Sequence, residues 1–360
     1  MLAHCRDHLI RFDSPIYFAG DTVKGTVHLI VEKPVEVRCL SFSWLGESRT
    51  GWFGNGDGKY IHAHIKDSLY LWHADDENSI LHPACYEFPF AFRLPDDAPP
   101  TFTGVHGQVK YSVKLVLNRP NLPIWVFERK LVVSRKFPLH YLALKKQFHL
   151  ECRTVPGLFS TYGDVEIKIC PVDKIMIPGR KTELRIQLTN LSRVTLNGLE
   201  IDLYQYVHCH SRPQESLCRA GANTRCSLPK SRQRNQKNWI KGTGVNSLYL
   251  RPQNESIYVM SIVIPAFITP TFNSPCFAVE YELKTTVITQ GVLAHSVTFM
   301  MSVEIGHVNC DYRDVDLFGG DLEVVGVQRH ECRAVDHVGG GAEQDEDDDL
   351  PPSYSEIFLA

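Results

Sequence analysis

No stretch of about 18 consecutive apolar residues occurs in the 360-residue chain, which argues against a membrane-spanning helix. The opening MLAHCRDHLI holds no apolar core of the kind a secretory signal requires. The eleven cysteines are odd in number and include no C-x-x-C pair, so a disulfide framework is not indicated and a reducing compartment is expected. The sequons at Asn190 and Asn254 are accordingly read as unused. G-x-S-x-G and H-E-x-x-H are both missing. The glycine-rich GWFGNGDGKY at 51–60 matches no phosphate or dinucleotide loop, and its pairs Asn55-Gly56 and Asp57-Gly58 read as turns of a hairpin. These absences remove the usual routes to catalysis, so no catalytic residue, cofactor or metal is expected.

A strong Lys/Arg bias is also lacking. The formal net charge is -3, and residues 336–360 alone carry eight acidic side chains and no Lys or Arg. The remaining 335 residues are therefore +5, far short of the basic footprint of a dedicated nucleic-acid binder. An apolar fraction of 43% with 22% charged residues is that of a folded globular chain, long enough for two domains.

What the chain does contain is a period of two. Val23, Gly25, Val27 and Leu29 alternate with polar residues, as do Leu40, Phe42 and Trp44. The texture returns at Leu184, Ile186 and Leu188, at Leu199, Ile201 and Leu203, and at Val279, Tyr281 and Leu283. Such alternation places one face of each strand in a core, and short runs separated by Gly, Pro and Asn predict antiparallel sandwiches. The pattern also doubles. At an offset of 159, Gly20 falls on Gly179, Val27 on Ile186 and Phe42 on Ile201. At an offset of 170, FPFAFRLPDDAPPTF (88–102) falls on YVMSIVIPAFITPTF (258–272), and Tyr111 on Tyr281. Two ordered matches separated by an 11-residue insertion predict two copies of one β-domain. The insertion lies between Leu203 and Tyr258, where SRPQESLCRAGANTRCSLPKSRQRNQKNWIKG reads as a long polar loop. The predicted boundaries are 1–147, 148–310 and a flexible acidic tail at 311–360.

With these features in place, FDSPIYFAGDTVKGTVHL (12–29) and GQVKYSVKLVLNRP (107–120) resemble strands of the arrestin N-domain, and CFAVEYELKTTV (276–287) the matching strand of the C-domain. Together with the terminal Pro351-Pro352-Ser353-Tyr354, the chain resembles the α-arrestins, the arrestin domain-containing proteins. The resemblance implies an all-β chain of two tandem immunoglobulin-type sandwiches with a disordered acidic tail. It also implies a cytosolic adaptor that engages receptors or transporters and recruits HECT-type ubiquitin ligases through their WW domains. Recruitment to the plasma membrane and endosomes, and cargo endocytosis, would follow. Members of the family commonly carry two Pro-Pro-x-Tyr motifs, whereas this chain has one.

The motif has a mechanism of its own. Adjacent prolines pre-set a polyproline II helix with three residues per turn, so Pro351 and Tyr354 project from one edge. A WW domain reads that edge with an aromatic-lined groove. The 32 residues between Leu317 and Leu350 would reach roughly 30 Å as a flexible chain. The acidic run 345–349 is either a solubilising spacer or a steering charge for basic WW surfaces. Lys230, Arg232, Arg234, Lys237 and Lys241 are suited to peripheral contact with anionic lipid or phosphorylated cargo, and equally to an ordinary solvated insertion. His208, Cys209, His210, Cys218 and Cys226 form the one metal-like grouping, but the spacing matches no common zinc motif and reads as loop or strand-end residues. His62, His64 and His73 read likewise. The rival to the ligase adaptor is an arrestin-fold trafficking or coat subunit, like that of retromer, in which the tail motif is incidental.

Overall fold

The computed structural model describes residues 8–52, 60–75, 79–138, 148–173, 175–212, 220, 226–245, 248–291 and 295–308. Among them there is no α-helix, and one short 3-10 turn spans Lys230–Arg232. No described helix is long and apolar enough to cross a membrane. The longer strands of the first half are β1 (His8–Phe12), β2 (Thr22–Val31), β3 (Cys39–Thr50), β4 (Tyr60–His73), β5 (Ala84–Arg93), β6 (Gly107–Asn118) and β7 (Trp125–Leu131). Those of the second half are β8 (His149–Thr154), β9 (Asp164–Pro171), β10 (Lys181–Asn190), β11 (Leu196–His210), β12 (Gln233–Val245), β13 (Asn254–Val263), β14 (Phe277–Thr289) and β15 (Val297–Val303).

The first half forms one sheet of order β1-β2-β5 and another of order β7-β6-β3-β4, the latter joined by the short arm Phe102–Gly104. The alternation seen in sequence is the alternation of burial: Val23, Val27 and Leu29 of β2, and Leu40 and Phe42 of β3, are buried. Rings lock the two sheets face to face. Phe42 of β3 stacks on Phe90 of β5 at 4.4 Å, and Trp44 stacks on Phe92 at 4.7 Å, nearly parallel. Pro89 lies in β5, at the end of its sheet, where a missing N–H costs no ladder bond. Thr50 of β3 lies opposite Tyr60 of β4, and the turn pairs Asn55-Gly56 and Asp57-Gly58 between them lie outside the described residues.

The second half repeats the plan with sheets of order β8-β9-β10-β13 and β12-β11-β14, the latter extended by β15 and the arm Phe272–Asn273, both on β14. Its inner face is the more aliphatic, with Ile201 and Leu203 where the first half has Phe42 and Trp44: Ile167, Ile169, Leu184, Ile186, Leu199, Ile201, Leu203 and Leu283 are buried, alongside Tyr281 and Phe299. The doubling holds residue by residue. Thr22 pairs with Arg93 in the first half and Lys181 with Val263 in the second, the same pairing displaced by 159 and 170. Phe12↔Gly25 likewise corresponds to Pro171↔Leu184, and Phe102↔Val109 to Phe272↔Val279. Gly20 and Gly179, matched in sequence, have φ of 79° and 78°, the left-handed conformation that glycine adopts without strain.

By proximity the described residues divide into two compact units. One comprises the chain up to residue 136 with 207–236 and 269–279, the other 137–206, 237–268 and the described residues from 280 on.

One expectation needs correction. The segment read as a polar loop contains β12, an edge strand paired to β11. Its sequence QRNQKNWIKGTGV hides this, because the strand buries neither face: Asn235, Lys237, Trp239 and Lys241 are exposed and Gln236, Asn238 and Ile240 only half-buried, so almost every position can be polar. Asn190 has a structural task that a sequon reading misses. Its buried side chain donates to the carbonyls of Val194 (2.9 Å) and Leu250 (3.1 Å) and accepts from Ser192, closing the turn after β10.

Candidate functional site

Pro351, Pro352, Ser353 and Tyr354, expected from sequence to dock WW domains, lie outside the described residues, as do the acidic run 345–349 and Cys218. The described sequence candidates fall on the strand pair β11–β12 and the turn before it.

Two of the five cations, Lys237 and Arg234, lie over aromatic rings. Alternation along β11 projects Asp202, Tyr204, Tyr206, His208 and His210 to one side. In the second unit, Lys237 of β12 places its ammonium 4.2 Å from the Tyr204 ring centroid and 5.4 Å from that of Tyr206. Each such contact is worth about 0.5–1 kcal/mol at an exposed site. Trp239, two residues on and 60% exposed, donates its indole N–H to Asp202 at 2.9 Å. Lys241 follows, also exposed. Burial, with the Glu282 carboxylate second, pushes the Tyr206 hydroxyl up to about 12, so it stays neutral. In the first unit, Arg234 lies over the Trp52 ring at 5.0 Å and donates to the carbonyls of Lys230 and Gln233 at 2.8 Å. Trp52 in turn donates to the Ser231 carbonyl at 3.1 Å. Lys230 and Arg232 form the 3-10 turn itself. Of the five cations, three thus belong to the first unit and two to the second. Neither group is the unstructured basic loop that the sequence suggested.

The His/Cys grouping, read as loop or strand-end residues, is sorted by the strand. His208 and His210 are buried on one face of β11, with their Nε2 atoms 2.8 Å apart. Cys226, distant in sequence, brings Sγ to 3.3 Å from His210 Nε2. The three ligand atoms all lie within 4.8 Å of one another. Cys209, between the histidines in sequence, is sent to the opposite face by alternation, where burial and then Cys276 push its thiol up to about 12. Each member of the trio has a partner that sequence reading missed. His208 Nδ1 bonds the Asn235 amide oxygen, His210 Nδ1 lies 3.2 Å from the Pro275 carbonyl, and the Leu228 N–H points at Cys226 Sγ at 3.4 Å. Burial lowers the pKa of both rings, and the two Nδ1 bonds pull the other way. The remaining histidines named from sequence, His62, His64 and His73, lie along β4.

A signal for β12 did exist. If the two halves are copies, something must stand beside β11 as β4 stands beside β3, and Gln233–Val245 is the segment that does.

Comparison with known sequences agrees with the architecture. Residues 8–140 match the family described as "Arrestin (or S-antigen), N-terminal domain", and 162–310 match "Arrestin (or S-antigen), C-terminal domain". The chain is similar to "Arrestin domain-containing protein 4" of Mus musculus, 32% identical over 131 residues, covering 32% of this chain and 32% of that protein. The Homo sapiens protein of the same name is 31% identical over 133 residues, 32% of this chain and 31% of the relative. "Arrestin domain-containing protein B" of Dictyostelium discoideum is 24% identical over 206 residues, 54% of this chain and 32% of the relative. The chain thus matches about a third of the length of each of these relatives.

Proposed function

As the chain belongs to the arrestin domain-containing (α-arrestin) family, we propose that it is a non-enzymatic adaptor that couples a membrane receptor or transporter to a HECT-type ubiquitin ligase. The observation that carries the ligase arm is the sequence Pro351-Pro352-Ser353-Tyr354 following a tandem arrestin body. The prolines enter the aromatic groove of a WW domain at low entropic cost, and Tyr354 fills the adjoining pocket, three residues and one polyproline turn further on. A single motif makes a small contact, so affinity is modest and rises with clustering of cargo or with a second contact. The cargo arm rests on the two sandwiches. Lys230, Arg232, Arg234, Lys237 and Lys241 add peripheral attraction to anionic lipid or phosphorylated cargo, with Lys237 and Lys241 the exposed pair beside Trp239. The protein then works in the cytoplasm and is recruited to the plasma membrane and endosomes, where ubiquitination marks cargo for endocytosis and sorting.

The test is capture of the full chain by isolated WW domains, wild type against Tyr354→Ala. Loss of capture in the variant supports the adaptor reading. Equal capture of both sinks the ligase arm and favours a trafficking subunit without ligase recruitment.

A further inference from the structure

We propose that His208, His210 and Cys226 form a zinc site, with two neutral imidazole Nε2 atoms and one thiolate as ligands and a fourth position left for water or another donor.

The argument starts from which nitrogen carries the proton. A backbone carbonyl only accepts, so the contact of His210 Nδ1 with the Pro275 oxygen at 3.2 Å places the proton on Nδ1. The lone pair of that ring is then on Nε2. His208 repeats the arrangement, its Nδ1 facing the amide oxygen of Asn235. Two Nε2 lone pairs therefore point at each other across 2.8 Å, with a sulfur 3.3 Å from one of them. Lone pairs so directed repel unless a cation stands between them. Zinc bonds of about 2.0–2.1 Å to nitrogen and 2.3 Å to sulfur separate tetrahedral neighbours by roughly 3.3–3.6 Å. The two close pairs must therefore open by a few tenths of an ångström, and Cys226 Sγ must close on His208 Nε2 from within 4.8 Å, a side-chain adjustment of about an ångström, to seat the ion.

The outer partners point the same way. Metal-ligating histidines donate their other ring N–H to a carbonyl or carboxylate, which fixes the tautomer and aims the ring. Both histidines do so here. The third ligand has its own support, because the Leu228 N–H lies 3.4 Å from Cys226 Sγ and holds the sulfur in place beside the histidines. Imidazole nitrogen with thiolate suits zinc and excludes the hard cations magnesium and calcium, which take oxygen ligands. The bound ion would pin the Cys226–Leu228 segment to the end of β11 and to the turn at Pro275, all within the first unit.

The experiment uses the full chain, purified without a polyhistidine tag or chelator. Metal content is measured by mass spectrometry, and the apo protein is titrated with Co2+. The expected result is about one zinc per chain and a thiolate-to-cobalt charge-transfer band, both lost in Cys226→Ser. Asn235→Ala removes no ligand and is expected to weaken zinc binding by about 10–100-fold, read by competition with a chromophoric chelator. It decides the matter if Cys226→Ser does not fold. Zinc far below one per chain after incubation with the ion, a cobalt spectrum unchanged in Cys226→Ser, or affinity unchanged in Asn235→Ala overturns the site. The trio is then a hydrogen-bonded network sharing protons.

Discussion

Ser48 Oγ lies 2.7 Å from His64 Nε2, tying β3 to its antiparallel neighbour β4. Burial, aided by the positive field of His62 and opposed by Asp97, lowers the His64 pKa from 6.5 to about 4. Between those values the unfolded chain binds a proton that the native ring does not, so stability rises with pH there. Urea midpoints are therefore expected to fall as pH drops from 6.5 toward 4 and to level off below. His64→Gln flattens that slope, and an unchanged slope in the variant refutes the assignment.

The stacked pairs Phe42/Phe90 and Trp44/Phe92 join the two sheets of the first half. Phe42→Ala is expected to destabilise the protein by about 3–5 kcal/mol in chemical unfolding, the cost of a large cavity that neighbouring rings cannot collapse to fill. In the more aliphatic second half, Ile201→Val at the position equivalent to Phe42 removes a single methylene group and is expected to cost about 0.5–1.5 kcal/mol.

Gly25 sits where a Cβ would meet the Arg11 carbonyl oxygen at 2.2 Å and the Phe90 ring at 2.6 Å. One obstacle is backbone of the neighbouring strand, so it cannot rotate away. Gly25→Ala is expected to cost about 1–3 kcal/mol by overpacking, measured by thermal or urea unfolding.

Cys85 and Cys152 are exposed, whereas Cys209 and Cys276 are buried, with burial pushing their thiols up to about 12 and about 11. Among the described cysteines, a brief pulse of alkylating reagent on the native protein is expected to label Cys85 first. Burial, helped by Asp164 and Glu166, raises the Cys152 pKa and slows it. Peptide mapping should find Cys209 and Cys276 labelled only after denaturation.

On the proposed ligase-adaptor reading Tyr354 enters a largely apolar WW pocket, and phosphorylation would add about -1.5 to -2 charges to it. A phosphorylated peptide spanning 345–360 is expected to bind WW domains more weakly than the unmodified one by calorimetry. Equal affinities refute this switch.

The alternation of Val23, Val27 and Leu29, and the two offsets that carry Thr22 onto Lys181 and Arg93 onto Val263, were enough to predict two copies of one sandwich. Strand burial is local and has a period of two, so a single sequence displays it, and duplication writes it twice. β12 escaped because an edge strand with one face exposed and the other only half-buried needs no apolar residues at alternate positions. The grouping of His208 and His210 with Cys226, and the seat of Lys237 over Tyr204, were decided by tertiary structure alone. Residues in different segments meet only where strand pairing and the connecting chain bring them, and the spacing H-C-H followed much later by a cysteine says nothing about that path. Alternation on β11 then did what spacing could not: it set both histidines on one face and turned Cys209, the residue between them, to the other.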